Sequence, residues 1–298
     1  MPDDPKTFST PAICLCGADD AIPFRHVERM GCGFRVVRCR FCGHVYMSPR
    51  PSAEEIRAMY GEGYYRGEAP VRYRDERSDE GVLRPLAQGR LERIEKVAGR
   101  RGRLLDVGCA FGLFPAVAAE RGWEAVGVDL SEFAAEEGCR RYGLDIRAGT
   151  IEAQGFPPGS FDVITAFEFV EHLESPGLFF DECARILRPG GWLVIQTSNV
   201  ESVYARLAGA RWVYFIPCHL HYFSPRSLRV ALKRSGFSVE FSYCGTDIPW
   251  RSIRRGLVGR GVVGGLVRHV LRKMTLGPVA VGGGMVVYAR AGGVKETG

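Results

Sequence analysis

The side chains most able to do chemistry are grouped by spacing. Of ten cysteines, five fall within the first 42 residues, in Cys14-Leu-Cys16-Gly, Gly-Cys32-Gly and Cys39-Arg-Phe-Cys42-Gly. Paired cysteines followed by glycine suit a closed, tetrahedral zinc site, because the glycine lets backbone N–H groups turn toward the thiolates. The expected ligands are Cys14, Cys16, Cys39 and Cys42. The first pair is one residue shorter than C-x-x-C, so Cys32 competes with Cys16 for the fourth place, and a redox pair is the alternative chemistry. The chain opens MPDDPKTFST, with neither a basic nor an apolar leader stretch. The expectation is therefore a cytoplasmic, reducing setting rather than a disulfide framework. Cys109, Cys139, Cys183, Cys218 and Cys244 stand singly and read as small buried apolar side chains. A second group is the stretch LLDVGCAFG, Leu104 to Gly112. Here Asp106 closes an apolar run, and Gly108 and Gly112 allow a ligand close to the backbone. An acid at that place repels pyrophosphate and suits a ligand bearing an ammonium group. Twenty-three residues further on, Asp129 closes GVDL, where a carboxylate can accept from both hydroxyls of a ribose. A dinucleotide site, or a buried strand and turn with no ligand, is the competing reading.

These side chains act only if regular elements hold them. From about Leu86, apolar runs alternate with amphipathic ones. RLLDVG, EAVGVDL, LDIRAG, FDVITAF and GWLVIQTS are predicted strands. LAQGRLERIEKVAG, FPAVAAERG, EFAAEEGCRRYG and PGLFFDECARILRPGG are predicted helices. That order predicts an α/β fold with a doubly wound, mostly parallel sheet, and it puts the glycine turn and Asp129 at the carboxyl ends of adjacent strands. Upstream, FRVVRC and HVYMS read as short strands, and Ser52 caps a helix with Glu54 and Glu55 in its first turn. Residues 61–82 read as a connector or lid. Residues 200–223 form an aromatic insert, RWVYFIPCHLHYF, before Ser224-Pro225 starts another helix. FSVEFSY and GMVVYAR are the last predicted strands. Three units follow: a zinc-ribbon-like module at 1–50, a connector at 51–85, and the α/β domain at 86–298.

Four segments in order resemble the class I S-adenosylmethionine-dependent methyltransferases: LLDVGCAFG, GVDLS, FDVITAFEFVEHLESP and RILRPGGWLVIQTSN. The resemblance implies a Rossmann-like sheet of seven strands and S-adenosylmethionine as cofactor. It implies that Asp106, Gly108, Cys109, Ala110 and Gly112 line the methionine end and that Asp129, followed by Leu130, holds the ribose. Thr150, Ile151 and Glu152 would lie by the adenine, and the backbone of Phe167 would face the methionine ammonium. Ala110 stands where glycine is usual, and it fits there if its φ is negative. The chain is also similar to zinc-ribbon methyltransferases acting on sugars and other small metabolites, through its cysteine pairs, HVYMSPRPSAEEIRAMYGEGYY and HLHYFSPRSL. This implies a structural zinc and has Tyr60, Tyr64 and Tyr65 closing over the cofactor. It also makes His219 the general base, with Cys218 standing where those proteins carry a glutamate.

Methyl transfer from a sulfonium is an in-line displacement, so the protein must place the acceptor and remove its proton. Histidine suits that task near neutral pH. Of His26, His44, His172, His219, His221 and His269, the first two fall in the ribbon segment and the last in the basic tail. His172 follows the fourth strand and is a reserve base or a loop-holding residue. His221 is a second reserve, facing the same side as His219 if CHLHYF is extended. Trp212, Tyr214, Phe215, Tyr222 and Phe223 either wall an acceptor pocket or form core.

Charge narrows the partners. The net charge is +6, yet from Trp250 onward there are nine Lys or Arg against one acid, so the first 249 residues are slightly acidic. A small-molecule acceptor is therefore expected, sugar- or polyketide-like, rather than nucleic acid. Nucleic-acid methylation and a non-catalytic binding role are the alternatives. The basic stretch Arg251 to Lys273 is expected either to be a solvated surface or to touch an anionic partner or membrane surface. The longest uncharged run, Met274 to Ala289, has 16 residues with four glycines and a proline. That is too short to span a bilayer as a helix.

Overall fold

A computed structural model describes residues 6–60, 62–66, 76–243 and 283–292. The basic stretch 251–273, Cys244 and His269 lie outside the described residues. Strands β1 (Lys6–Thr7), β2 (Ala21–Arg29), β3 (Cys32–Cys39) and β4 (Val45–Met47) come first, followed by helices α1 (Ala53–Met59), α2 (Glu62–Tyr65) and α3 (Glu76–Ala98). The α/β part follows with β5 (Arg103–Val107), α4 (Leu113–Glu120), β6 (Glu124–Asp129), α5 (Glu132–Tyr142), β7 (Asp145–Ala148), β8 (Phe161–Phe167), α6 (Pro176–Ile186) and β9 (Leu187–Ser198). It closes with α7 (Val203–Ala208), β10 (His221–Tyr222), α8 (Pro225–Arg234), β11 (Phe237–Tyr243) and β12 (Gly284–Ala291).

Seven strands form one sheet in the order β11-β12-β9-β8-β5-β6-β7. The pairs from β7 through β9 are parallel, and β12 runs antiparallel to both its neighbours. The chain winds outward from β5 to β7, then returns to lay β8 on the other side of β5. That reversal opens a crevice at the carboxyl ends of β5 and β8, where doubly wound sheets bind ligands. The strands are apolar almost throughout because both faces are covered. Leu105, Ile164 and Ile195 pack with Phe179 and Ile186 of α6 and Leu228 of α8. Their neighbours Leu104, Val163 and Val194 pack with Leu91 and Ile94 of α3 and Val117 of α4.

A second sheet joins β1, β2, β3, β4 and β10. Its last strand comes from the aromatic insert: His221 pairs with Tyr46, and Tyr222 with Val45. Trp212, Phe215 and Tyr222 share a core with Phe34, Val36, Val45 and Met47. These aromatics are therefore core, and the insert completes the N-terminal module.

Two local expectations change and one holds. Helix α3 starts at Glu76 and carries Pro85 inside it, so part of the expected connector is helical. Helix α6 stops at Ile186, and the Arg-Pro-Gly-Gly expected to close it lies in β9, where the β8–β9 register shifts. The Ser52 cap forms as expected, with Glu55 N–H donating to Ser52 Oγ at 3.2 Å and Ser52 N–H to Glu55 Oε2 at 2.8 Å.

Candidate functional site

The glycine turn leaves β5 directly into α4. Gly108 and Gly112 have φ of 74° and 83°, and a Cβ at Gly108 would collide with the ring of Phe169. Ala110 has φ of 49°, so the expected negative φ does not occur. The turn holds Ala110 in the left-handed region, the conformation in which glycine is usual. The N–H groups of Gly108 and Cys109 both donate to the carbonyl of Val128, at 2.8 and 3.2 Å, pinning the turn to the end of β6. Asp106 is buried and accepts from Thr165 Oγ1 at 2.6 Å.

Asp129 is the hub of the crevice. Its Oδ2 accepts from Ala110 N–H at 2.8 Å, and its Oδ1 accepts from Ser131 N–H at 3.0 Å and from the Tyr65 hydroxyl at 2.8 Å. Burial raises its pKa, and those three donors oppose the rise. Leu130 beside it is 47% exposed, a large apolar side chain left open next to the carboxylate. Thr150 and Glu152 are exposed, and Ile151 is buried with the main core. Phe167 ends β8 with its ring edge-on to Phe114 at 4.9 Å. This donor and acceptor set fits an adenosine bearing a methionine tail, and Asp129 and the glycine turn are the groups that would hold it.

Tyr60, just after α1, and Tyr64 and Tyr65 of α2 meet this edge. The rings of Tyr60, Tyr64 and Tyr65 follow one another edge to face at 5.2 and 5.1 Å. Tyr65 reaches Asp129, and the Tyr60 hydroxyl lies 2.5 Å from His172 Nδ1.

The histidines separate into two pairs. His172 and His219 meet edge to face with centroids 4.5 Å apart, and His172 Nδ1 lies 2.9 Å from the carbonyl of Cys218. A turn before His219 and the pairing of β10 send His221 elsewhere: its Nδ1 lies 3.0 Å from Nε2 of His44. His221 is therefore paired within the N-terminal sheet, apart from His219, and is not placed to serve as the base. Burial pushes His172 down to about 4 and His221 down to about 3. Burial and then the neighbouring imidazole hold His44 and His219 well below the usual range, so all four rings are neutral at pH 7. Glu171 is fully buried and accepts from Thr197 Oγ1 at 2.8 Å. Burial and then Glu168 hold it well above the usual carboxylate range. Glu168 itself sits at φ 51°, held by a hydrogen bond from Gln196 Nε2 at 2.9 Å. The His44 pairing and the burial of Glu171 escaped the sequence reading. A strand pattern through HVYM is the only signal that pointed to His44.

The four expected cysteines converge. Cys14 Sγ lies 3.4 Å from Cys42 Sγ, and Cys16 Sγ 3.6 Å from Cys39 Sγ, within one tetrad. Cys32 packs against the neighbouring apolar cluster instead, so Cys16 completes the set. Sulfurs on a tetrahedral zinc lie about 3.8 Å apart, which this set meets with small shifts. Burial opposes ionisation of Cys39, but the N–H groups of Cys42 and Phe41 outweigh it and bring the thiol down to about 7. The residues fit a structural zinc.

Residues 78–240 match the methyltransferase domain family. The chain is 33% identical over 152 residues to a ubiquinone biosynthesis O-methyltransferase of Methylococcus capsulatus, covering 48% of this chain and 63% of that protein. It is 29% identical over 182 residues to the protein of the same name from Bordetella avium, covering 56% and 75%. It thus spans about three fifths to three quarters of the length of these relatives. Among solved structures, a SAM-dependent methyltransferase from Archaeoglobus fulgidus shares the fold, with a TM-score of 0.52 and 22% identity over 72% of this chain and 97% of that one. A geranyl diphosphate C-methyltransferase from Streptomyces coelicolor, solved with S-adenosyl-L-homocysteine, gives a TM-score of 0.51 and 20% identity over 73% and 82%. With Asp129, the glycine turn and the seven-stranded order in place, the chain belongs to the methyltransferase domain family and has its class I, Rossmann-like fold.

Proposed function

We propose that this protein methylates a small, hydroxyl-bearing metabolite, sugar- or polyketide-like, and that a zinc-stapled N-terminal module together with residues 200–223 forms one wall of the acceptor site. S-adenosylmethionine, when bound, supplies an electrophilic methyl group on a sulfonium. Asp129 orients its ribose, and the turn from Gly108 to Gly112 admits its tail. Tyr60, Tyr64 and Tyr65 cover the crevice and exclude water. The acceptor hydroxyl is bound and loses its proton at the pair of His172 and His219. The observation that carries this reading is that pair, two neutral imidazoles beside the cofactor crevice and linked through the tyrosines to Asp129. The relatives' names favour oxygen as the methylated atom. Bound zinc at Cys14, Cys16, Cys39 and Cys42 would hold the module's fold without joining the reaction.

Mass spectrometry of hydroxylated metabolite pools, incubated with the protein and methyl-labelled cofactor, tests the reading directly. A labelled small-molecule product is expected. His219→Ala should lower its formation by about 10²–10⁴-fold, the usual loss when a proton-handling group is removed. Cofactor affinity should hold. Label appearing only in nucleic acid or protein would overturn the small-acceptor reading.

A further inference from the structure

Beside the cofactor crevice, His172, Cys218 and His219 bring one ligand atom each to within 4.8 Å of one another. They come from two segments joined by backbone, Leu220 N–H donating to the Glu171 carbonyl at 2.8 Å, and within the second segment a turn is closed by His219 N–H to the Ile216 carbonyl at 3.0 Å. Cys218 and His219 are almost wholly buried, and Cys218 is a free thiol. His219 Nδ1 is buried without a well-formed hydrogen bond, and so is Oε1 of the adjacent Glu171. A buried imidazole nitrogen short of a well-formed hydrogen bond keeps part of its desolvation cost. The ring of His172 is already oriented by the Cys218 carbonyl and the Tyr60 hydroxyl, as the outer contacts of metal-bound histidines do.

We propose that His172, Cys218 and His219 form a second metal site, distinct from the cysteine tetrad, that takes a divalent transition ion of the zinc class. Two imidazoles and one thiolate are a borderline-soft donor set that suits zinc and excludes magnesium or calcium. Ligands on such an ion stand roughly 3.3–3.8 Å apart, so the three close on it by small side-chain rotations. Three protein ligands leave the fourth position open, and His172 is only partly buried, so that position can face the crevice. The inference rests on the methyltransferase reading only for the fourth ligand, an acceptor hydroxyl. Bound there, the hydroxyl would ionise nearer neutral pH, its proton passing to solvent. His172 and His219 would then act by holding the ion.

Cobalt titration of the full, metal-stripped chain tests this, read by visible absorption and by metal analysis after dialysis. Two equivalents per chain are expected, the second with a single thiolate-to-cobalt band. Cys218→Ser and His219→Ala should each bind one equivalent and lose that second spectrum, while the band of the cysteine tetrad persists. A wild-type titration that ends at one equivalent would overturn the proposal, whether or not the variants fold. Calorimetry with S-adenosylmethionine runs in parallel. Absent cofactor binding alongside two bound metals would sink the methyltransferase reading and leave the metal site standing.

Discussion

Asp129 has about four acceptor positions, and three are filled among the described residues, by Ala110, Ser131 and Tyr65. A ribose diol needs two, so the Tyr65 phenol must yield or share. Asp129→Ala is expected to weaken S-adenosylmethionine binding by about 1.5–3 kcal/mol, with Asp129→Asn falling between the two. Tyr65→Phe keeps the ring against Phe111 but frees the oxygen. It should bind the cofactor at least as tightly as the parent, and tenfold weaker binding in calorimetry would mean that the phenol itself touches the cofactor. Ala110 supports a separate stability test. Its left-handed φ costs about 1 kcal/mol, and its buried methyl returns about 0.8 kcal/mol. Ala110→Gly should therefore shift the melting midpoint little. Ala110→Val, β-branched at φ 49°, should lower it by several degrees.

Strands and helices are pinned at a few polar points. Asp162, near the start of β8, accepts from Arg103 N–H of β5 at 2.9 Å and from Arg100 at 2.8 Å, and it also pairs with Arg188 at the bulged start of β9. Burial alone would raise its pKa, but the Arg103 N–H and the nearby Arg188 and Arg100 outweigh that and lower it. A carboxylate with a lowered folded pKa contributes stability above its unfolded pKa near 4, and that stability is lost as pH falls through the folded value. Asp162→Asn should cost about 1.5–3 kcal/mol in denaturant melts at pH 7, and the deficit should shrink below pH 4. A deficit constant with pH would assign the effect to packing. On the other sheet, Trp212 is fully buried between the insert and β3–β4. Trp212→Ala should cost about 3–5 kcal/mol, and hydrogen exchange should localise the loosening to the N-terminal sheet.

For the molecule as a whole, β10 couples two chemistries. The cysteine tetrad shapes the turns around β3 and β4, β4 pairs with β10, and His219 lies two residues before β10. Stripping zinc is therefore expected to lower methyl transfer far more than cofactor binding, because Asp129 and the glycine turn belong to the other sheet. Zinc analysis, calorimetry and turnover on the same chelated sample check this, and equal loss of both functions would argue against the coupling. Among the described residues, no helix is long and apolar enough to cross a membrane.

The order of the α/β elements, the glycine turn with Asp106 and Asp129, and the cysteine tetrad were legible in the sequence. Each is a local pattern: a buried strand writes itself as an apolar run, a tight ligand turn as glycines, and a metal knuckle as closely spaced thiols. Other features depended on contacts between segments far apart in the chain. Only the pairing of Val45 and Tyr46 with His221 and Tyr222 shows that residues 200–223 build the first module. That pairing, with the turn before His219, assigns one histidine to His44 and its near neighbour to His172. No local spacing could have separated them, because the face a side chain takes in CHLHYF depends on a partner strand about 175 residues away. The φ of Ala110 was hidden for a similar reason. It is imposed by Asp129 and Val128, which hold the turn from the neighbouring strand.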